Sequence, residues 1–78
     1  MDDVLTGIQQ AFKDALDVDT TLVTIEAVPD DIPGWDSMGH AALAASVEKV
    51  FQVSLDIDDV MAMENVAAIV RVLKQKLQ

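Results

Sequence analysis

The stretch Pro33-Gly34-Trp35-Asp36-Ser37-Met38 marks where a loop ends and a helix begins, and the rest of the chain is read outward from it. Pro and Gly punctuate loops, while Asp and Ser are favoured residue types at helix N-caps. A helix is therefore predicted from Ser37 to Phe51. Leu43, Val47, Val50 and Phe51 share one side of it, and Ala41, Ala42, Ala44 and Ala45 give high helix propensity with little bulk. Gly39 reads as a local weakness, since glycine costs about 1 kcal/mol against alanine inside a helix.

Upstream, residues 17–36 carry Pro29, Pro33 and many aspartates, and are long for a connection between helices. Leu22, Val23, Ile25, Val28 and Ile32 are interspersed, so a packed loop is expected. The β-branched run at 22–28 has no second run to pair with, which argues against a strand. Before the loop, Leu5, Ile8, Phe12 and Leu16 fall at helical spacing, widened by Val4, Ala11 and Ala15. This predicts an amphipathic helix from about Asp2 to Leu16, with Asp2 and Asp3 at the positive end of its dipole.

Downstream, a short helical turn is expected at Ile57–Ala62, capped by Asp56 or Asp58. A last helix runs from about Asn65 to Leu77, with Val66, Ile69, Val70, Leu73 and Leu77 on one face. Arg71, Lys74 and Lys76 complement its negative end. The expected fold class is all-α: a four-helix bundle with a long first loop and a short third helix. Residues 1–78 form one domain on this reading, with no internal repeat and no low-complexity tract.

With 78 residues and no Cys, no disulfide or thiolate metal site can staple the fold. At 51% hydrophobic but only 4% aromatic, the core must be aliphatic. The net charge of −9 is unevenly spread, with nine acids and one base in residues 1–36 but five acids and four bases in 37–78. Such a surface repels nucleic acid and favours basic partner surfaces, although negative charge also serves plain solubility. The longest apolar runs, Ala41–Ala45 and Val66–Val70, are too short to span a bilayer, and the N-terminus lacks a signal-peptide layout. No membrane insertion and a cytoplasmic location are expected.

Several chemistries are excluded. One His and no Cys cannot build a Cys/His dyad or a typical zinc site, and no glycine-rich phosphate loop is present. A calcium loop needs Gly at its sixth position and Glu at its twelfth. Counting from Asp17 gives Leu22 and Val28, and counting from Asp56 gives Met61 and Ala67, so both fail. No metal site and no convergent set of catalytic groups emerges. What remains is Ser37, whose hydroxyl at a helix N-terminus suits a phosphate ester. Asp36 beside it is suited to helping bind a metal ion brought by a phosphoryl-transferring enzyme. The alternative is capping, and the dipeptide by itself favours capping.

Asp36-Ser37-Met38, with the acidic loop before it and the aliphatic helix after it, resembles the acyl carrier protein family, whose signature is Asp-Ser-Leu at the start of the second helix. Met38 stands where that signature has Leu, an apolar swap of similar size. The resemblance covers nearly the whole chain, including Phe51 closing the second helix, Leu55-Asp56-Ile57-Asp58-Asp59-Val60, and Val66 opening the last. It implies that the protein is not an enzyme. It implies covalent 4′-phosphopantetheine on Ser37, with Asp36 part of the cofactor site, and an acyl intermediate held as a thioester. The implied partners are a phosphopantetheinyl transferase and acyl-loading and acyl-processing enzymes with basic docking surfaces, the carrier itself being a monomer. Two alternatives stand beside this: a carrier of amino acids or short acids, and a helical interaction module in which Ser37 only caps.

The second helix departs from members serving bulk fatty acid synthesis. Gly39, His40, Ala42 and Lys49 stand where acids are common, leaving Glu48 alone. A carrier of a specialised pathway is expected. Trp35 is expected to pack the loop against the helices, with partner docking as the minor alternative. His40 reads first as a solvated surface residue and second as a residue touching the arm or a partner. Met38, Met61 and Met63 read as packing, or as the wall of a pocket for a variable acyl chain. Small alanines on the second helix leave room for such a chain, facing Met61, Val66 and Ile69.

Overall fold

The computed structural model describes residues 3–77, which form four α-helices and, among the described residues, no strand. Helix α1 spans Asp3–Leu16, α2 Ser37–Phe51, α3 Ile57–Ala62 and α4 Val66–Lys76. Asp2, where the sequence reading starts α1, lies outside the described residues.

Helix α1 buries Ile8, Ala11 and Phe12 completely and half-buries Val4, Leu5, Ala15 and Leu16, as its periodicity requires. It ends where Asp17 turns left-handed, at φ 55°, while its N–H still bonds to the Lys13 carbonyl at 3.0 Å. Opposite it, α2 contributes Leu43 and Val47, and α4 contributes Val66, Ile69 and Leu73, all fully buried. Each such side chain stabilises the fold by roughly 1.5–3 kcal/mol. Leu77, placed on the apolar face of α4 by periodicity, instead sits at its C-cap and is 48% exposed.

The long loop is packed, though by a different set of residues than its apolar content implied. Val18, Val23, Ala27, Ile32 and Trp35 point inward, whereas Leu22, Ile25 and Val28 remain exposed. Two short 3-10 turns, Thr20–Leu22 and Pro29–Asp31, satisfy much of its backbone locally. Asp19 caps the first by accepting from the Thr21 N–H at 2.9 Å. Two bonds tie the middle of the loop to the bundle. Gln9 Nε2 donates to the Val23 carbonyl at 2.9 Å, and the Val66 N–H donates to the Ala27 carbonyl at 3.1 Å.

Helix α3 is six residues long and depends on its surroundings. Asp56 is its cap, accepting from the Asp59 N–H at 2.9 Å, while Asp59 accepts from the Asp56 N–H at 3.1 Å. Lys76 at the end of α4 reaches back to Asp59 at 2.7 Å.

Candidate functional site

The start of α2 is set by a close approach of two glycines. Gly34 holds φ at 84°, and its carbonyl lies so near Gly39 that a Cβ there would overlap the carbonyl oxygen. Gly39 is therefore required by the approach of the incoming loop, which corrects its reading as a mere weakness. With the loop pinned there, the N-cap falls on Asp36, in extended conformation at φ −118°. Its Oδ1 accepts from the Gly39 N–H at 2.8 Å, and its carbonyl accepts from the His40 N–H at 2.7 Å. Capping thus belongs to Asp36. Ser37 is the first helical residue and is exposed, next to the unpaired N–H groups that every helix start leaves.

A groove of about 320 Å³ opens beside Ser37. Pro29 and Trp35 form its loop side, and Ser37 and His40 its α2 side. Met61, Met63 and Glu64 close it from α3 and the turn after it, and Asp36 sits at its edge. The three methionines part company. Met63 is fully buried, Met61 is 70% exposed on the groove wall, and Met38 is 85% exposed. Packing therefore describes Met63 alone.

His40 is half-buried rather than solvated, because both its nitrogens are engaged. Trp35 Nε1 donates to His40 Nδ1 at 2.8 Å, and His40 Nε2 lies 2.8 Å from the Val60 carbonyl oxygen. An indole N–H only donates, so Nδ1 must accept and Nε2 must carry the proton. Both partners thus select the same neutral tautomer. The Trp35 and His40 rings lie nearly parallel, with centroids 6.1 Å apart, and Phe12 meets Trp35 edge-on at 4.8 Å. Trp35 does pack the loop against the helices, and His40 extends that packing to α3. The sequence held a signal for this. A buried Trp needs an acceptor, and the chain's lone His lies five residues on.

The anticipated shelter of Met61, Val66 and Ile69 does not assemble. Val66 and Ile69 are sealed in the core, Met61 faces the groove, and Ala41, Ala42 and Ala45 face outward. Among the described residues no cluster of three or more His, Cys, Asp or Glu side chains is arranged to hold a metal. No helix among the described residues is long and apolar enough to cross a membrane. The Asp59–Lys76 ion pair ties α3 to the end of α4. The Lys76 hydrogen bond, aided by the Asp56 N–H, holds the Asp59 carboxyl below its ordinary 3.8, and the same contact raises Lys76 above 10.5.

The geometry fits a phosphodiester: an exposed hydroxyl at a helix start, beside a partly apolar groove able to receive an attached arm. Comparison with known proteins agrees. A search of curated protein sequences gave no match. The family model for the phosphopantetheine attachment site matches residues 6–73. The structure is similar to that of a holo acyl carrier protein from Geobacter metallireducens, solved in solution. The two share 26% identity at a TM-score of 0.81, over 97% of this chain and 87% of that one. The chain accordingly belongs to the phosphopantetheine attachment site family, as a non-catalytic carrier with the acyl carrier fold and a covalent 4′-phosphopantetheine cofactor.

Proposed function

We propose that Ser37 Oγ is where the arm is attached, that Asp36 serves the transferase reaction, and that the cargo is an acyl group of a specialised pathway. One observation carries this reading: Ser37 is exposed as the first residue of α2, beside a groove, while the cap is borne by its neighbour. In the transfer, Ser37 Oγ attacks the pantetheine-bearing phosphorus of coenzyme A. The Oγ–P bond forms as the bond to the nucleotide bisphosphate breaks, and the hydroxyl proton passes to a base of the transferase. Asp36 engages the Gly39 N–H through Oδ1, which leaves lone pairs on its second oxygen for the transferase's metal.

The bound group supplies a thiol that holds cargo as a thioester at high effective concentration. The chain contributes the anchor and the docking surface, as a single domain acting in the cytoplasm. Residues 37–51 sum to zero charge, Glu48 against Lys49, and the acids concentrate before them. That distribution draws basic partners from afar while offering few close contacts to enzymes that expect acids along α2. The attachment test is incubation with coenzyme A, Mg²⁺ and a broad-specificity transferase, then peptide mapping. Modification must fall on Ser37 and vanish in Ser37→Ala; modification that survives there overturns the assignment.

A further inference from the structure

His40 takes no part in the attachment chemistry described above, yet its contacts are specific. Its backbone and its side chain grip two consecutive residues. The His40 N–H donates to the Asp36 carbonyl at 2.7 Å, and His40 Nδ1 accepts from Trp35 Nε1 at 2.8 Å. Trp35 and Asp36 are the two residues that lead into Ser37. On its other side, His40 Nε2 lies 2.8 Å from the Val60 carbonyl oxygen in α3. That helix buries none of its own six residues, so polar ties of this kind matter to its placement. The imidazole thus joins the end of the loop, the first turn of α2 and α3.

We propose that His40 is a positioning residue for attachment of the arm: through Trp35 it fixes the aim of Asp36 and Ser37 for the transferase. The inference rests on the carrier reading above. Trp35 is 6% exposed and meets Phe12 edge-on, so its ring cannot turn freely. Re-aiming Asp36 requires the Trp35 backbone to rotate, which pulls the indole from His40. The indole N–H is then left buried without an acceptor, and that cost opposes the movement. Attack by Ser37 Oγ on phosphorus is sensitive to such movement, since a shift of about 1 Å can cost on the order of 100-fold in rate. The Val60 bond acts on the same approach from the other side. Met61 and Glu64 border the groove that contains Ser37, so the placement of α3 sets the access to its hydroxyl.

The test measures loading from coenzyme A by a broad-specificity transferase, with kcat and KM for the carrier determined separately. His40→Leu keeps bulk at the site and removes both side-chain bonds. Its kcat is expected to fall roughly 10–100-fold, with KM within about twofold because the docking surface is retained. His40→Gln supplies an acceptor and a donor together and is expected to recover most of the lost kcat. Ile69→Val, a core change in α4 that does not border the groove, controls for stability and is expected to load as the parent does. A second readout is independent of loading. The chain has a single Trp, hence one indole N–H signal in NMR spectra. It is expected to exchange slowly with water in the parent and in His40→Gln, and rapidly in His40→Leu. If His40→Leu does not fold, Trp35→Phe takes its place, keeping a ring against Phe12 without the N–H, and the same fall in kcat is expected. Parental kcat in His40→Leu or Trp35→Phe, or a His40→Gln chain as slow as His40→Leu, overturns the proposal while the carrier reading stands. A parent chain that takes up no arm overturns both.

Discussion

Replacing Gly39 by alanine sets two physical effects against each other. Inside a helix Gly→Ala gains about 1 kcal/mol from backbone entropy alone. Here the new Cβ would overlap the Gly34 carbonyl oxygen and lie 3.0 Å from its carbon and 3.1 Å from Leu16 Cδ2. The obstacle is backbone, and Gly34 is held at φ 84° with little freedom to retreat. Overpacking of this kind costs about 1–3 kcal/mol and more where backbone must move, so a net loss of roughly 1–2 kcal/mol is expected. For a domain of this size 1 kcal/mol shifts Tm by about 4–8 °C, which puts the drop at roughly 4–16 °C. Thermal unfolding followed by circular dichroism, with a urea titration to check that m is unchanged, measures it. A rise in Tm would show that propensity governs the site and that the loop does not pin the helix start.

Three further outcomes follow from the site and its supports. Asp36→Asn keeps the N-cap and should hold Tm within a few degrees while transferase loading falls sharply; Asp36→Ala should lose loading and also about 1 kcal/mol of stability. Unchanged loading in the Asn variant would reduce Asp36 to a cap. Asp59 has a lowered folded pKa, so its contribution is complete above the unfolded carboxyl value near 3.8 and is lost as pH falls through the folded value. Lys76 is raised, so its share is complete below the unfolded 10.5 and fades as pH climbs past the folded value. Lys76→Met should accordingly lower Tm at neutral pH and converge with the parent as pH approaches 2; a constant gap there would exclude the ion pair as its source. With one malonyl transferase of general fatty acid synthesis at physiological salt, the loaded protein should react more slowly than a carrier of that pathway. Ala42→Glu should recover part of the rate, and equal parent rates would refute specialisation. Gly39 is unsuitable for the same rescue because its backbone contact admits no side chain.

The helices were legible wherever their signals are local. Helices α2 and α3 begin and end at the residues the sequence marked, because Asp36 and Asp56 cap and apolar spacing defines the buried faces. The core positions of α1 and α4 followed from periodicity for the same reason, apart from Leu77, which falls at the C-cap of α4 and is exposed. What stayed hidden depends on neighbours distant in the chain. Gly39 looked like a propensity defect until the Gly34 carbonyl was beside it. His40 looked solvated because its partners, an indole and an α3 carbonyl, come from two other segments. The outward turn of Leu22, Ile25 and Val28 likewise depends on how the loop's 3-10 turns orient them, which hydrophobicity does not encode. Ser37 was singled out by type and place, whereas the groove beside it is built from the loop, α2, α3 and the turn after α3, which lie far apart in the chain.

The central claim, that this chain carries a phosphopantetheine arm on Ser37, is tested most directly by intact mass. The protein is expressed with and without a broad-specificity transferase, and the product is fragmented to locate any added group. The account predicts a shift of one phosphopantetheine in the transferase-containing cells, confined to the fragment holding Ser37. An unshifted mass with active transferase, or an arm on any other residue, would contradict it.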